Sequence, residues 1–290
     1  MLAGVAAAEY LEPVRQNLGF GQVNALLMAA IAVDVLVRHP RWPRGALIGI
    51  AISIKLTPAA FLLLFLLRRD WRALATSVAA AAASVGVAWL IMPADSAQYW
   101  FHTLKETSRI GPPYFAGNQS LKGFAFRLGL GDGASTAVWL ALSVVAVVLA
   151  AVWMRRLLAD GAVPAALLVN AAAVLLVSPV SWSHHWVWAA PALLLAVVAL
   201  SDGTPSRTFG RTVAFGAALF FVGPHWLLPS RDDRELAWAW WQQIIGSGYV
   251  LFTAAVLVAG VVGVRRHRRA SVVTVGTKGP LGAGISDNSG

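Results

Sequence analysis

The sequence predicts an all-α protein that crosses a membrane several times. Of its 290 residues, 58% are hydrophobic and only 12% are charged, whereas a soluble domain carries roughly 25% charged residues. The apolar residues are gathered into runs that approach the roughly 20 residues a helix needs to cross a bilayer. Lys and Arg residues stand in short clusters between these runs, as they do in polytopic membrane proteins. We therefore expect a helical bundle embedded in lipid.

The composition also excludes several classes of partner and site. The net charge of +10 does not indicate a nucleic acid partner, because nucleic-acid-binding domains gather their cations on one soluble face. In this chain the cations flank apolar runs instead. The absence of cysteine excludes disulfides, thiolate metal ligands and a cysteine nucleophile.

Apolar runs predict the membrane segments in chain order. The continuous runs are Gln22–Val37, Arg72–Met92, Ala134–Leu157, Val163–Val180, Trp186–Leu200, Thr212–Leu228 and Ala237–Val264. One further run, Gly45–Leu67, is interrupted by Lys55-Leu56-Thr57-Pro58. Because proline removes a helix hydrogen bond, this run either enters and leaves on one side or crosses with a kink, and both readings stay open. We expect about seven spans plus this re-entrant or broken helix pair, with the basic clusters cytoplasmic.

Two polar stretches interrupt this apolar pattern on the predicted outer side. In Ser178–Trp188 the adjacent imidazoles of His184 and His185 lie among three indoles. In the long loop Pro93–Gly133, the segment Gly117–Gly123 places amides, a hydroxyl and an ammonium at a predicted helix start, which suits an anion or a sugar hydroxyl. The alternatives are an interfacial aromatic turn and a simple helix cap.

The unusual polar residues are predicted to share one face above an apolar cleft. Lys55 is an ammonium inside a hydrophobic run, and such a group normally faces a cavity or an anion. Cations and amides above an apolar cleft suit a ligand with a phosphate head and a hydrocarbon tail. A metal site is not expected, because no Asp or Glu stands at ligand spacing from the histidines. We also expect no cofactor. The full set is Arg15, Gln22, Asn24, Lys55, Asn118, Gln119, Lys122, His184 and His185.

Four motifs of the chain can be taken together: Glu12–Asn24, Ile54–Pro58, Gly117–Gly123 and Ser178–Trp186. They resemble glycosyltransferase family 87, the polyprenyl-phosphate-mannose-dependent α-(1→2)-mannosyltransferases. The resemblance implies a GT-C-like membrane fold over residues 1–264 and an inverting, metal-independent mannose transfer to a glycolipid acceptor of the phosphatidylinositol mannoside or lipomannan type. It places the active face on the extracytoplasmic side of the plasma membrane. Residues 265–290 are expected to form a disordered basic cytoplasmic tail.

The resemblance also implies a role for each polar residue. By analogy, the donor phosphate is bound by Arg15, Lys55, His184 and His185. The sugar or the acceptor is bound by Gln22, Asn24, Asn118, Gln119 and Lys122.

The catalytic residue is not identified by the motifs. The family's presumed base is an aspartate in the first external loop, and this sequence is expected to begin downstream of that loop. Glu12 is the nearest acidic candidate by position. Whether the chain as given is active, and what completes it, stays open on these observations.

Two alternatives remain at this point. Related enzymes use polyprenyl-phosphate arabinose, and these residues do not distinguish the two sugars. A transporter or channel subunit would distribute ionisable residues along several spans. Here the charges within spans are nearly limited to Lys55 and Asp34, and Asp34 is spaced to pair with Arg38.

Overall fold

The computed structural model describes residues 6–105, 110–203 and 206–276. The first helices are α1 (Glu12–Gly19), α2 (Asn24–Leu36), α3 (Ala46–Ile54), α4 (Leu62–Arg68), α5 (Trp71–Ile91), α6 (Pro93–Phe101) and α7 (Leu121–Arg127). The later helices are α8 (Asp132–Ala159), α9 (Val163–Val177), α10 (Ala189–Ser201), α11 (Arg207–Val222), α12 (Trp240–Gly246) and α13 (Gly248–Gly276). Five 3₁₀ turns lie between them, at Thr57–Phe61, Thr103–Lys105, Ser183–Trp188, Pro224–Leu227 and Arg234–Ala237.

The all-α prediction is confirmed across these ranges. The strand-like pairing within these ranges is an isolated antiparallel bridge between Asn118 and Trp182. Residues 277–290, part of the predicted disordered tail, lie outside the described residues, and α13 continues to Gly276. The tail and domain boundary therefore stay predictions.

Several helices are long and apolar enough to cross a membrane. They are α5, α8 and the segment Ser183–Ser201, which continues a 3₁₀ turn into α10. The described chain has 3 such helices, or up to 5 if α1 with α2 and α12 with residues 248–263 each form one bent span. This supports a multi-pass membrane protein, but seven spans are not confirmed. Two of the predicted runs end early, because Pro179 follows α9 and Gly223 ends α11.

The predicted interruption at Lys55 is present. Helix α3 ends at Ile54, and Lys55 is extended, with φ −150° and ψ 133°. Pro58 then lies in the first turn of the 3₁₀ helix that leads into α4. The amide of Asn170, on α9, donates to the carbonyl oxygen of Ala60 at 3.1 Å, so the neighbouring helix supplies a donor within the break.

Asp34 caps a helix, which corrects the ion pair predicted with Arg38. Its Oδ1 accepts from the backbone N–H of Gly45 and from Trp42 Nε1, both at 3.0 Å. Its Oδ2 accepts from the N–H of Ile48 at 3.0 Å. The free N–H groups at the start of α3 therefore attract this carboxylate more strongly than an exposed guanidinium does, as the helix dipole favours.

A reciprocal contact closes the α2–α3 corner. The guanidinium of Arg44 donates to the carbonyl oxygens of Asp34 at 2.6 Å, Val35 at 2.9 Å and Val37 at 2.6 Å. These are carbonyls of the last turn of α2, which otherwise lack helix partners. Arg44 thus donates to free carbonyls at the end of α2, and Asp34 accepts from free N–H groups at the start of α3.

Helices α3 and α5 are packed through small residues. A Cβ added at Gly45 would overlap the carbonyl oxygen of Ala73, and one at Gly49 would overlap that of Ser77 and stand 2.6 Å from Ala80 Cβ. Glycines spaced by four along a helix let two backbones approach closely in membranes. This packing fixes the helix that ends at Lys55.

The helix start predicted within the Gly117–Gly123 segment is confirmed. Helix α7 begins after Ser120, whose Oγ accepts from the N–H of Gly123 at 3.1 Å. The earlier part of the loop Pro93–Gly133 forms α6 followed by a 3₁₀ turn, and residues 106–109 lie outside the described ranges.

We expect Gly49→Ala to destabilise the protein by about 2 kcal/mol, because the added methyl overpacks the α3–α5 contact. The matched control is Gly86→Ala on α5, where an added Cβ meets nothing within 4 Å. The control is expected to be neutral or slightly stabilising, because alanine favours a helix over glycine. Thermal unfolding in detergent measures both, and equal melting temperatures for Gly49→Ala and the wild type would contradict the close packing.

Candidate functional site

The predicted cation Lys55 lies between an amide and an imidazole. Its Nζ donates to Asn24 Oδ1 at 2.9 Å and lies 3.0 Å from His185 Nε2. An ammonium has only donors, so Nε2 of a neutral His185 accepts this bond. The structure thus joins three of the predicted residues from the start of α2, the break after α3 and the Ser178–Trp188 turn.

Asn24 is held by further hydrogen bonds. Its Nδ2 donates to Asn17 Oδ1 at 3.1 Å and to the carbonyl oxygen of His184 at 3.3 Å. Asn17 and Asn24 are both buried, and the turn between α1 and α2 brings them together. The orientation of the Asn24 amide is therefore set, with its oxygen directed at Lys55.

The two imidazoles are half-buried and perpendicular. The His184 and His185 ring centroids are 4.7 Å apart with 89° between the planes. Phe20 packs edge-on against His184, with centroids 5.4 Å apart. This geometry directs one ring at Lys55 and leaves the other against the α1–α2 turn. Within the described ranges, no three His, Asp or Glu side chains lie close enough together to hold a metal ion. The two imidazoles therefore do not belong to such a group.

A small cavity opens at Lys55. Its volume is about 50 Å³, and its polar lining includes Asn24, Lys55, Ser181 and His185. The remaining lining is largely apolar side chains of α2, α9 and the broken segment. Two of the three ammonium donors are engaged, so the third N–H is available to an anion that enters this cavity.

The predicted loop residue Asn118 is fully buried against the same turn. Its Oδ1 accepts from the N–H of Ser181 at 3.0 Å, and its Nδ2 donates to the carbonyl oxygens of Pro113 at 2.9 Å and Pro179 at 3.3 Å. The backbone N–H of Gln119 donates to the carbonyl of Ser181 at 2.8 Å. These bonds clamp the loop to the turn that carries the histidines.

Gln119 and Arg127 extend this clamp towards the C-terminal helices. The Gln119 amide donates to the carbonyl oxygens of Ala116 and Gly246, at 2.8 and 2.7 Å. The buried guanidinium of Arg127 donates to the Asn118 carbonyl at 3.1 Å and to Ser247 Oγ at 3.0 Å. Burial lowers the pKa of Arg127 to about 10, although the Glu235 charge opposes the shift, so Arg127 is charged at pH 7. The sugar- or acceptor-binding role of Asn118 and Gln119 stays a prediction.

Glu12 lies in a buried cage of aromatic donors. Its Oε1 accepts from Trp226 Nε1 and its Oε2 from Tyr249 Oη, both at 2.7 Å. His225 Nε2 lies 4.0 Å from Oε1. Burial and the Arg127 charge lower the pKa of His225 to about 3, so this imidazole is neutral at pH 7 and the contact is not an ion pair.

The remaining predicted residues lie around this centre. Arg15 is exposed, one turn after Glu12, and donates to the carbonyl of Tyr10 at 3.4 Å. Gln22 is exposed in the α1–α2 turn. Lys122 is half-buried and lies over the Trp139 and Phe126 rings, at 5.1 and 5.5 Å from their centroids. The structure brings none of these three side chains into hydrogen bonding with Lys55, and their predicted roles stay predictions.

Sequence reasoning did not select several residues that build the site. Asn170 is a buried amide within an apolar helix, and that polarity is a signal that could have marked it. Asn17 is also buried, but its helix is polar in sequence, so its polarity does not single it out. Tyr249 and Trp226 carry no such signal, because aromatic residues are common at membrane interfaces.

Comparisons with known proteins agree with the resemblance of the motifs. Glycosyltransferase family 87 matches residues 1–179. The chain is 41% identical over 253 residues to the "Polyprenol-phosphate-mannose-dependent alpha-(1-2)-phosphatidylinositol mannoside mannosyltransferase" of Mycobacterium tuberculosis. It is 42% identical over 264 residues to the protein of that name in Mycolicibacterium smegmatis. Each alignment covers 87% of this chain and 58% of the relative, so the chain spans little more than half their length.

A shorter likeness extends to an enzyme for a different sugar. The "Alpha-(1->3)-arabinofuranosyltransferase" of Corynebacterium glutamicum is 31% identical over 128 residues, which are 43% of this chain and 30% of that protein. No solved structure matches. Because the family match covers more than half of the 290 residues, the chain belongs to glycosyltransferase family 87.

Proposed function

We propose that this chain acts as a membrane mannosyltransferase that moves mannose from a polyprenyl-phosphate donor to a phosphatidylinositol mannoside acceptor. The names of the two mycobacterial relatives support this reaction. The observation that carries it is the Lys55 ammonium, which lies in a cavity with two neutral partners. Within the described ranges no carboxylate oxygen lies within 4.0 Å of the Lys55 ammonium.

The Lys55 cavity suits the departing phosphate. In the proposed reaction an acceptor hydroxyl oxygen attacks C1 of the mannose, and the C1–O bond to phosphate breaks. The phosphate leaves with the electron pair, and the hydroxyl proton passes to a base. A fixed cation in a site with little water stabilises the charge that develops on the phosphate oxygen. Asn24 and His185 hold the ammonium in place, so little reorganisation is needed during the reaction.

The contacts of Glu12 favour a positioning role over that of the base. Both of its oxygens accept short hydrogen bonds, and its side chain is 1% exposed. A general base must reach the proton it takes, directly or through one water. As an anchor, Glu12 ties α1 to the C-terminal helices and so supports the Asn17–Asn24 turn.

We propose that the site faces the extracytoplasmic side of the plasma membrane. The Lys55 site lies at the start of α2. Arg38, Arg41 and Arg44 follow the opposite end of the same helix, and such clusters favour the cytoplasmic side.

The first test removes the charge of Lys55. We expect Lys55→Met to lower mannose transfer by about 100-fold or more, because a preorganised cation at the leaving group is lost. Transfer from a labelled polyprenyl-phosphate mannose in nanodiscs measures this, together with donor binding. The control is Arg72→Met, which removes an exposed cation at the start of α5 and should leave both unchanged. Undiminished donor binding in Lys55→Met would refute the phosphate-binding role.

A second test changes the charge beside Lys55 with almost no change in the shape of the side chain. In Asn24→Asp a carboxylate stands where the amide oxygen is 2.9 Å from Nζ, and it competes with the phosphate for the ammonium. We expect donor affinity to fall at least about ten-fold, a typical cost of a nearby like charge. The melting temperature should fall as well, because a carboxylate cannot donate the two hydrogen bonds of the Asn24 amide. Gln98→Glu adds the same charge at an exposed position of α6 and serves as the control. Equal affinities in the two variants would contradict a phosphate at Lys55.

The second candidate is transfer of arabinose from polyprenyl-phosphate arabinose. The observation that favours it is the partial likeness to the Corynebacterium glutamicum arabinofuranosyltransferase. A competition assay with both donors distinguishes the two. We expect the mannosyl donor to be used in preference, and preferential transfer of arabinose would replace the first proposal with the second.

A further inference from the structure

A large apolar groove lies beside the Lys55 cavity. It has a volume of about 500 Å³ and is formed by α8, the Ser183–Trp188 turn, α9, α10, α11 and α13. The polar residues among those that line it are two threonines, Thr212 and Thr253. Six aromatic side chains contribute to its wall: Trp153, Trp186, Trp188, Phe209, Phe220 and Phe252.

The groove and the Lys55 cavity share a wall. Leu175 of α9 and Trp188 line both spaces. The Trp188 indole stacks on Phe61, which also lines the cavity, with ring centroids 5.1 Å apart and 29° between the planes. The cavity and the groove therefore adjoin at Leu175 and Trp188.

Two glycines make room for the aromatic wall. An added Cβ would stand 2.8 Å from Phe252 Cζ at Gly216 of α11, and 2.5 Å from Trp153 Cε2 at Gly260 of α13. Both rings therefore lie directly against the backbone of a neighbouring helix. Side chains at these glycines would displace the rings and change the shape of the groove.

We propose that this groove binds the first isoprene units of the donor's polyprenyl chain, an inference that rests on the proposed function. The lining of the groove is almost wholly apolar, as a hydrocarbon chain requires. The position of the groove next to the cation cavity also favours the donor, whose single tail begins at its phosphate. The remainder of the chain lies in the bilayer.

Photo-crosslinking tests this assignment without requiring transfer. The probe is a sugar-free polyprenyl phosphate with a diazirine in its second isoprene unit, added to the 290-residue chain in phosphatidylcholine nanodiscs. We expect saturable labelling of α10 and α11 that unlabelled polyprenyl phosphate displaces. Displacement by phosphatidylinositol mannoside instead would assign the groove to the acceptor. Labelling that neither lipid displaces, or no labelling of these helices, would likewise overturn the proposal.

A matched pair of variants on α10 tests the groove itself. Ala196→Trp fills the groove, because Ala196 is a lining residue. Val197→Trp adds the same indole at the next residue, which is 49% exposed and does not line the groove. We expect Ala196→Trp to weaken probe affinity at least about ten-fold, as the displacement of two methylene groups does, and the control to retain it. Equal affinity in both would overturn the proposal.

A short ligand separates a blocked groove from a damaged protein. Dimethylallyl phosphate carries a single isoprene unit and should bind both variants like the wild type, because its head reaches Lys55 without filling the groove. Loss of its binding in Ala196→Trp alone would assign the defect to the head site and refute the groove assignment. A wild type that labels at the groove yet transfers no mannose would refute the proposed reaction while leaving the prenyl phosphate site in place.

Discussion

The ammonium of Lys55 is the constraint on which the rest of the site depends. A cation within an apolar segment is costly unless polar groups meet it. Asn24 and His185 meet it from two other parts of the chain, at 2.9 and 3.0 Å. Asn24 is oriented by Asn17, and His185 lies in a turn that Asn118 clamps. These hydrogen bonds therefore hold in place the two groups that contact the Lys55 ammonium.

The loop between α6 and α8 supports the site through its backbone contacts. Asn118, Gln119 and Arg127 are almost completely buried, and most of their hydrogen bonds end on carbonyl oxygens of neighbouring segments. Buried polar side chains of this kind fix irregular backbone that no regular helix or sheet satisfies. The histidine turn is irregular in the same way, so the two segments stabilise one another.

The sequence predicted the parts of this structure that depend on local chemistry. Pro58 and Lys55 marked the helix break, and Ser120 marked the start of α7, because caps and proline act within one helical turn. The convergence of Asn24, Lys55 and His185 followed from their shared polarity among apolar runs. The count of spans did not follow, since hydrophobic length alone does not reveal where a helix ends at Gly223. The capping role of Asp34 was also missed, because its partners lie beyond a turn whose geometry the sequence does not specify.

The aromatic cage around Glu12 has a consequence for how the protein is made. The bond from Tyr249 Oη to Glu12 Oε2 joins residues 237 positions apart. A ribosome adds about 5 to 20 residues each second, so roughly 12 to 50 seconds separate the synthesis of these two partners. During that interval the Glu12 carboxylate lacks the hydrogen bond from Tyr249. A newly made chain therefore cannot complete its polar centre until α13 enters the bundle, and translation of the C-terminal part sets the earliest moment of assembly.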